Sequence, residues 1–213
     1  LFLTVTFWAG NFVVGKLASF YDIPPFSLNF YRWFFAWLIL APFTIPEIIE
    51  KKEYIFKNYK LFIILGVTSI TIFNSIVYYS LNFTQVISGV LMISTIPVMI
   101  MLFSSILNIE KTNIFQIIGV IFSFAGVIMI ITKADIQILK NLDFNKGDIT
   151  MVVAMFSWAL YSTLLKRQKY EISQISLLQV VITFGLLFLI PIYFIEYQIG
   201  SRIILEKPFI LIL

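Results

Sequence analysis

The side chains in this chain that can do chemistry are set singly into apolar runs, and their types favour binding over bond-making. There is no Cys and no His in the 213 residues, which removes thiolate nucleophiles, disulfides, the commonest metal ligand and the usual proton shuttle near neutral pH. No HExxH pattern and no carboxylate pair lies inside an apolar run, so hydrolysis has no machinery. No enzymatic role, metal or cofactor is expected. What remains is recognition by cation, amide, hydroxyl and aromatic face.

Arg32 is the sharpest of these features. It lies seven residues past Pro25, which is about 10 Å along a helix. A cation at mid-bilayer costs about 2.5–3.5 kcal/mol on insertion scales. Two readings stand, a guanidinium facing a polar cavity and an Arg snorkelling to the outer interface. Trp8 and Asn11 share a helix face at i, i+3, and Trp158 and Tyr161 repeat that spacing. Each pair offers an aromatic plus a hydrogen-bonding group, either lining a cavity or packing helices. Asn74 and Tyr78 form an i, i+4 stripe, with Tyr78 also readable as an interfacial aromatic. Ser94 and Thr95 precede Pro97, which removes a backbone donor and marks a kink, either a gate facing the cavity or a static bend. Lys16 ends its run and reads as a snorkelling cation. Gly119, Ser123 and Gly126 form a small-residue stripe on which another helix could pack closely.

The elements that must position these residues follow from composition. The chain is 60% hydrophobic and 12% charged, against about 25% charged in a soluble domain. The net charge of +4 is spread thinly with no basic face, which excludes nucleic acid as a partner and leaves the lipid bilayer and a small-molecule ligand. Seven stretches are long and apolar enough to span: 1–20, 25–46, 61–81, 86–107, 114–132, 149–165 and 175–195. An eighth begins near Pro208, and both chain ends lie in apolar runs, so the sequence reads as a piece of a longer protein. The runs are apolar on every face, which selects helices over a β-barrel and predicts an all-α, polytopic membrane bundle. Loops on one face carry eight Lys or Arg and those on the other carry six, which places the N-terminus in the cytoplasm by a narrow margin.

An internal repeat organises the spans. Trp8-x7-Lys16 recurs as Trp158-x7-Lys166, 150 positions later, and the Ser27-Leu28 pair recurs as Ser176-Leu177, 149 positions later. A unit that starts at span one and again at span six holds five helices. An odd number inverts the second copy, which is the architecture that places a binding site between halves. Residues 1–132 form the first repeat, 133–147 a connection and 148–213 part of the second.

WAGNFVVGK, with Arg32 following in NFYRWFFAWLILAP, resembles the opening of an EamA domain of the drug/metabolite transporter superfamily. So does YYSLNFTQVISGVLMISTIPVMIML with NIEK and IIGVIFSFAGVIMII after it, while GDITMVVAMFSWALYSTLLKR resembles the start of a second copy. The resemblance covers essentially the whole chain. It implies a ten-helix carrier of two inverted repeats around a central cavity, in the inner membrane of a bacterium or archaeon. Such carriers move small metabolites such as amino acids, often outward. It leaves monomer or homodimer open, as well as a channel or a non-transporting receptor. A chain that lacks the last helices is not expected to transport alone. Arg32 has no counterpart in LLQVVITF of span seven, so the halves are not chemically equivalent.

No Asp or Glu lies deep in a span: Asp148 and Glu196 are near ends, and Asp22, Glu47 and Glu110 are read as loop residues. A proton relay ordinarily needs a buried carboxylate. Uptake by the complete protein is therefore expected to persist when the proton gradient is collapsed; strict gradient dependence in vesicles would refute this.

Overall fold

Lipid offers backbone N–H and C=O groups no partner, so the apolar runs have to close their hydrogen bonds internally. A computed structural model describes residues 2–109, 113–132, 145–167 and 169–200. Among those residues there are nine helices and no strand: α1 (Phe2–Phe20), α2 (Pro25–Glu50), α3 (Lys52–Lys57), α4 (Tyr59–Leu81), α5 (Val86–Ile93), α6 (Ile96–Ile106), α7 (Ile114–Thr132), α8 (Lys146–Lys166) and α9 (Gln174–Gln198). The chain is thus the all-α bundle its apolar runs require. Helices α2, α4, α8 and α9 are each long and apolar enough to cross a membrane, with shorter apolar helices beside them. Glu110, most of the 133–147 connection and the run after Pro208 lie outside the described residues.

Most spans differ from the expected bounds by one to three residues at an end, and two differ by more. The fourth, 86–107, is broken at Ser94 and Thr95 into α5 and α6. Pro97 lacks an N–H and is tolerated in a first turn, where that donor has no helical partner, so it sits at the start of a new helix. The second does not stop at Pro46: α2 runs on to Glu50 with Pro42 and Pro46 inside it. Glu47, read as a loop residue, therefore sits in the last turn of α2.

Helix α4 is the centre of the bundle, packed by α1, α2, α8 and α9. One apolar cluster joins its second half to α1, α6 and α8 through Phe12, Tyr78, Leu81, Met99, Met151 and Met155. Another joins its first half to α9 through Phe62, Leu65, Val181, Ile182, Leu186 and Leu189. Large apolar side chains such as Phe43, Phe115 and Phe194 stay exposed on the outside, as a lipid-facing surface demands.

The crossing of α4 and α9 is the tightest contact. A Cβ on Gly66 would lie 2.6 Å from the Gly185 nitrogen, and a Cβ on Gly185 would lie 2.5 Å from the Ile70 Cβ. Only two glycines let these backbones meet. Right at this crossing α4 widens into a π-helix over Val67–Asn74. Such a turn leaves carbonyls that the helix does not pair in the ordinary i−4 pattern, and neighbouring side chains take them. Ser157 donates to the Thr68 carbonyl (2.8 Å), Asn74 to that of Ser69 (2.8 Å) and Asn29 to that of Ile70 (2.8 Å). In return, the Thr71 hydroxyl donates to the Gly185 carbonyl at 2.8 Å.

The small-residue stripe on α7 behaves differently from the expectation. A Cβ at Gly119 or Gly126 would meet nothing within 4 Å, and Ser123 is exposed, so no described helix packs there. The two kinds of glycine are separable by experiment. Gly66→Ala is expected to lower stability by about 1–3 kcal/mol, the overpacking range, whereas Gly119→Ala should leave the melting temperature in detergent unchanged.

Candidate functional site

Three helices bring three of the sequence-selected polar residues together. Arg32 on α2 donates from Nη1 to Asn11 Oδ1 on α1, and the Tyr78 hydroxyl on α4 donates to the same oxygen at 2.7 Å. The Arg32 guanidinium also lies 5.5 Å from the centroid of the Tyr78 ring, over its face. Tyr78 is held in place from behind, because α1 presents Gly15 to it. A Cβ on Gly15 would lie 2.9 Å from the Tyr78 ring carbon. Arg32 is therefore turned into the bundle, not out to the interface. Its guanidinium has five N–H donors, and no carboxylate pairs with it among the described residues, where Lys51 and Glu50 form the ion pair at 3.2 Å.

An aromatic wall adjoins this cluster through α1. Trp8, one helical turn before Asn11, meets Trp158 edge-on with ring centroids 5.4 Å apart. Trp158 in turn packs on Tyr161 at 5.1 Å and on Phe73 at 4.5 Å. Trp8 is 49% exposed, while Trp158 and Tyr161 are half-buried. Tyr161 also lines a cavity of about 600 Å³ between α8 and α9, with Leu165, Lys169, Tyr170, Gln174 and Leu177. The cluster at Asn11 thus combines a cation, an amide and a phenol beside an aromatic wall, with Lys169 in the adjoining cavity.

Asn74 and Thr95, two further sequence candidates, make local contacts instead. Asn74 is turned into its own helix, donating to the Ser69 carbonyl of the π segment, so the expected Asn74–Tyr78 stripe is divided. Thr95 donates locally to the Met92 carbonyl at 2.6 Å, Ser94 is half-buried beside it, and Pro97 is exposed at the start of α6. Lys16 is used elsewhere: Nζ donates to the carbonyls of Leu81 (2.8 Å) and Thr84 (3.0 Å), closing the end of α4.

Several polar residues were missed by sequence reasoning. Asn29, one turn before Arg32, is fully buried and donates to Ile70 and to the Ser75 hydroxyl (2.8 Å). Gln179 is equally buried and donates to the Trp37 carbonyl at 3.2 Å, while Trp37 Nε1 donates to the Thr183 hydroxyl at 2.9 Å. A polar amide inside an apolar run was the available signal for both. Glu47 and Glu196 were set aside as loop or end residues, yet each accepts from the start of the other's helix. Glu196 takes the Ser27 N–H (2.7 Å), the Ser27 hydroxyl (2.6 Å) and the Phe26 N–H (3.2 Å). Glu47 takes the Ser173 N–H (2.7 Å) and the hydroxyls of Ser173 and Ser176 (2.6 Å each). The signal was the repeat itself: Glu47 and Glu196 are 149 positions apart, like Ser27 and Ser176.

Comparison with known proteins agrees with this picture. The chain is 27% identical over 167 residues to the uncharacterized transporter YyaM of Bacillus subtilis, covering 78% of this chain and 53% of that protein. It is 26% identical over 194 residues to an uncharacterized transporter of Archaeoglobus fulgidus, covering 90% of this chain and 64% of the relative. The chain therefore spans between half and two-thirds of the length of these relatives. No solved structure matches it. Residues 1–132, from α1 through α7, match the EamA-like transporter family. With polytopic helices, apolar outer faces and a family match over most of its length, the chain belongs to the EamA-like transporter family of membrane proteins.

Proposed function

We propose that the protein is a secondary carrier for small amphipathic metabolites that bear a carboxylate, such as amino-acid-like solutes. It would export them across the cytoplasmic membrane by alternating access. The observation that carries this reading is Arg32. A guanidinium placed inside a span costs about 2.5–3.5 kcal/mol, and a neutral amide oxygen and a ring face offset that only partly. A substrate carboxylate would complete its coordination through paired N–H donors. The Trp8–Trp158 edge contact, with Phe73 and Tyr161 behind it, would take the apolar part of the same molecule.

Repeat symmetry supports alternating access as the mode. Ser27, Pro42 and Glu47 of α2 correspond at one offset of 149 to Ser176, Pro191 and Glu196 of α9. The end of each helix lies at the start of the other, so α2 and α9 are antiparallel. That is the relation expected of equivalent helices in inverted repeats. Lys16, Lys146 and Arg32 all have partners within the bundle, consistent with structural use of the first two and leaving Arg32 as the cation beside the aromatic wall.

The test is counterflow in proteoliposomes holding the full-length protein and preloaded with L-phenylalanine. Labelled phenylalanine is expected to exchange saturably, with competition by carboxylate-bearing analogues and none by phenethylamine. Arg32→Gln should weaken the apparent affinity about 10- to 100-fold, the loss of a charge-assisted hydrogen bond of about 1.5–3 kcal/mol. Equal competition by the amine, or an unaffected Arg32→Gln variant, would overturn the substrate class. Flux without saturation would indicate a channel, and binding without flux a receptor.

A further inference from the structure

Ser27 and Glu47 are twenty residues apart on α2, about 30 Å along the axis, which matches the hydrocarbon thickness of a bilayer. The two Glu-to-Ser contacts between α2 and α9 therefore lie at opposite membrane surfaces. Each carboxylate receives three donors from the other helix, at one end from Phe26 and Ser27, at the other from Ser173 and Ser176. The chemistry is reciprocal. Helix α2 starts at Pro24 and Pro25 with no side-chain cap of its own, so Glu196 supplies the acceptor its first N–H groups lack.

Between the two ends the helices are joined at further levels. Tyr31 and Tyr193 hydroxyls are 3.1 Å apart, and Phe30 stacks on the Tyr193 ring at 4.7 Å. Trp37 bonds to Thr183 and receives from Gln179. From the other side α4 locks onto α9 through Gly66 and Gly185. Yet α2 belongs to the first repeat and α9 to the second. Rocking of one whole repeat against the other would break these contacts along the entire length. Opening the pair at one surface alone would strand three donors and a carboxylate.

We propose that α2 and α9 are a fixed beam, welded across the repeats at both surfaces by Glu47 and Glu196, and that the substrate pathway opens by movement of other helices around it. The two glutamates are positioning residues: they hold α2, and with it Arg32, against α9 in every state. This inference rests on the alternating-access reading for what moves, but the beam itself is testable apart from it.

These 213 residues contain no Cys, so once any Cys elsewhere in the full-length protein is replaced by Ser, introduced thiols report without background. Spin labels on exposed sites of the full-length protein in nanodiscs, at Ile49→Cys with Ile175→Cys near one end and at Phe35→Cys with Phe194→Cys toward the other, measure α2 against α9. Labels at Val13→Cys with Leu102→Cys measure α1 against α6. With and without saturating L-phenylalanine, both beam distances are expected to keep one unchanged population while the α1–α6 distance shifts. A second population in either beam pair would overturn the proposal. If all three pairs stay fixed, the beam stands and alternating access fails. A second measurement uses Ser27→Cys with Glu196→Cys, and Glu47→Cys with Ser176→Cys, joined by a short thiol cross-linker. Counterflow is expected to stay within twofold of the same variant before cross-linking. Its loss on joining either pair would make that pair a gate and refute the beam.

Discussion

The carbonyls of Thr68, Ser69 and Ile70 belong to a π-helical stretch of α4, whose wider turn opens them to side chains of neighbouring helices. A buried polar group left alone costs about 1–3 kcal/mol, and in hydrocarbon the penalty is larger. Each of these carbonyls is answered from a different place: Ser157 on α8, Asn74 on α4 itself, and Asn29 on α2. The π segment is thus the point at which α2, α4 and α8 are held in one register. Helix α9 reaches the same segment by backbone contact at Gly66 and Gly185, with Thr71 bonded across. The site depends on this arrangement. Tyr78 lies just one turn beyond the π segment, Arg32 one turn beyond Asn29, and Trp158 directly follows Ser157.

The capping glutamates act on the same constraint at the membrane surfaces. A helix start presents N–H groups without internal partners and the positive end of its dipole. A carboxylate there contributes about 0.5–2 kcal/mol as a cap. Supplied from a second helix, it also fixes where that helix ends. Helix α8 solves the same problem locally, with a capping box in which Asn145 accepts from the N–H groups of Gly147 and Asp148 while Asp148 accepts from that of Asn145. The difference matters for mechanism. The local cap leaves the start of α8 to be held through side chains at the end of α4, by Thr84, Ser80 and Phe83, whereas the crossed caps tie α2 to α9 at both ends.

Much of this was legible in the sequence, for identifiable reasons. Apolar runs of spanning length give helices because lipid permits little else, and Arg32 and Asn11 stand out because such side chains are rare in spans. Their meeting at one oxygen was not legible, since helix spacing says which residues share a face but not which faces meet. Asn74 shows a sharper failure. It was read as one stripe with Tyr78, but its amide is consumed by the Ser69 carbonyl of the preceding π segment, which helix periodicity does not foretell. Pro97 was recognised as a disturbance but not as a helix start, because a kink and a break carry the same residue. Glu47 and Glu196 were judged by depth alone, although the offset that paired Ser27 with Ser176 also pairs them.

The asymmetry of the site has a structural reason. At the offset of 149, Arg32 corresponds to Val181. Val181 is 1% exposed, and its carbonyl would lie 2.7 Å from a Cβ on Gly66. Its backbone belongs to the α4–α9 crossing, and Val181 also lines the cavity beside Tyr161 and Leu177, so this position presents an apolar wall where α2 presents a cation. The two positions related by this offset are thus used differently: Arg32 bonds to Asn11, whereas Val181 packs in the apolar cluster that joins α4 and α9. The Trp8 and Trp158 rings, by contrast, are nearly equivalent in sequence and touch each other. Under the proposed reading, a substrate meets an aromatic floor shared by both repeats and a charge supplied by one. Such a site orients its ligand with the carboxylate toward α2, because of the two positions related by the offset only Arg32 carries a charge.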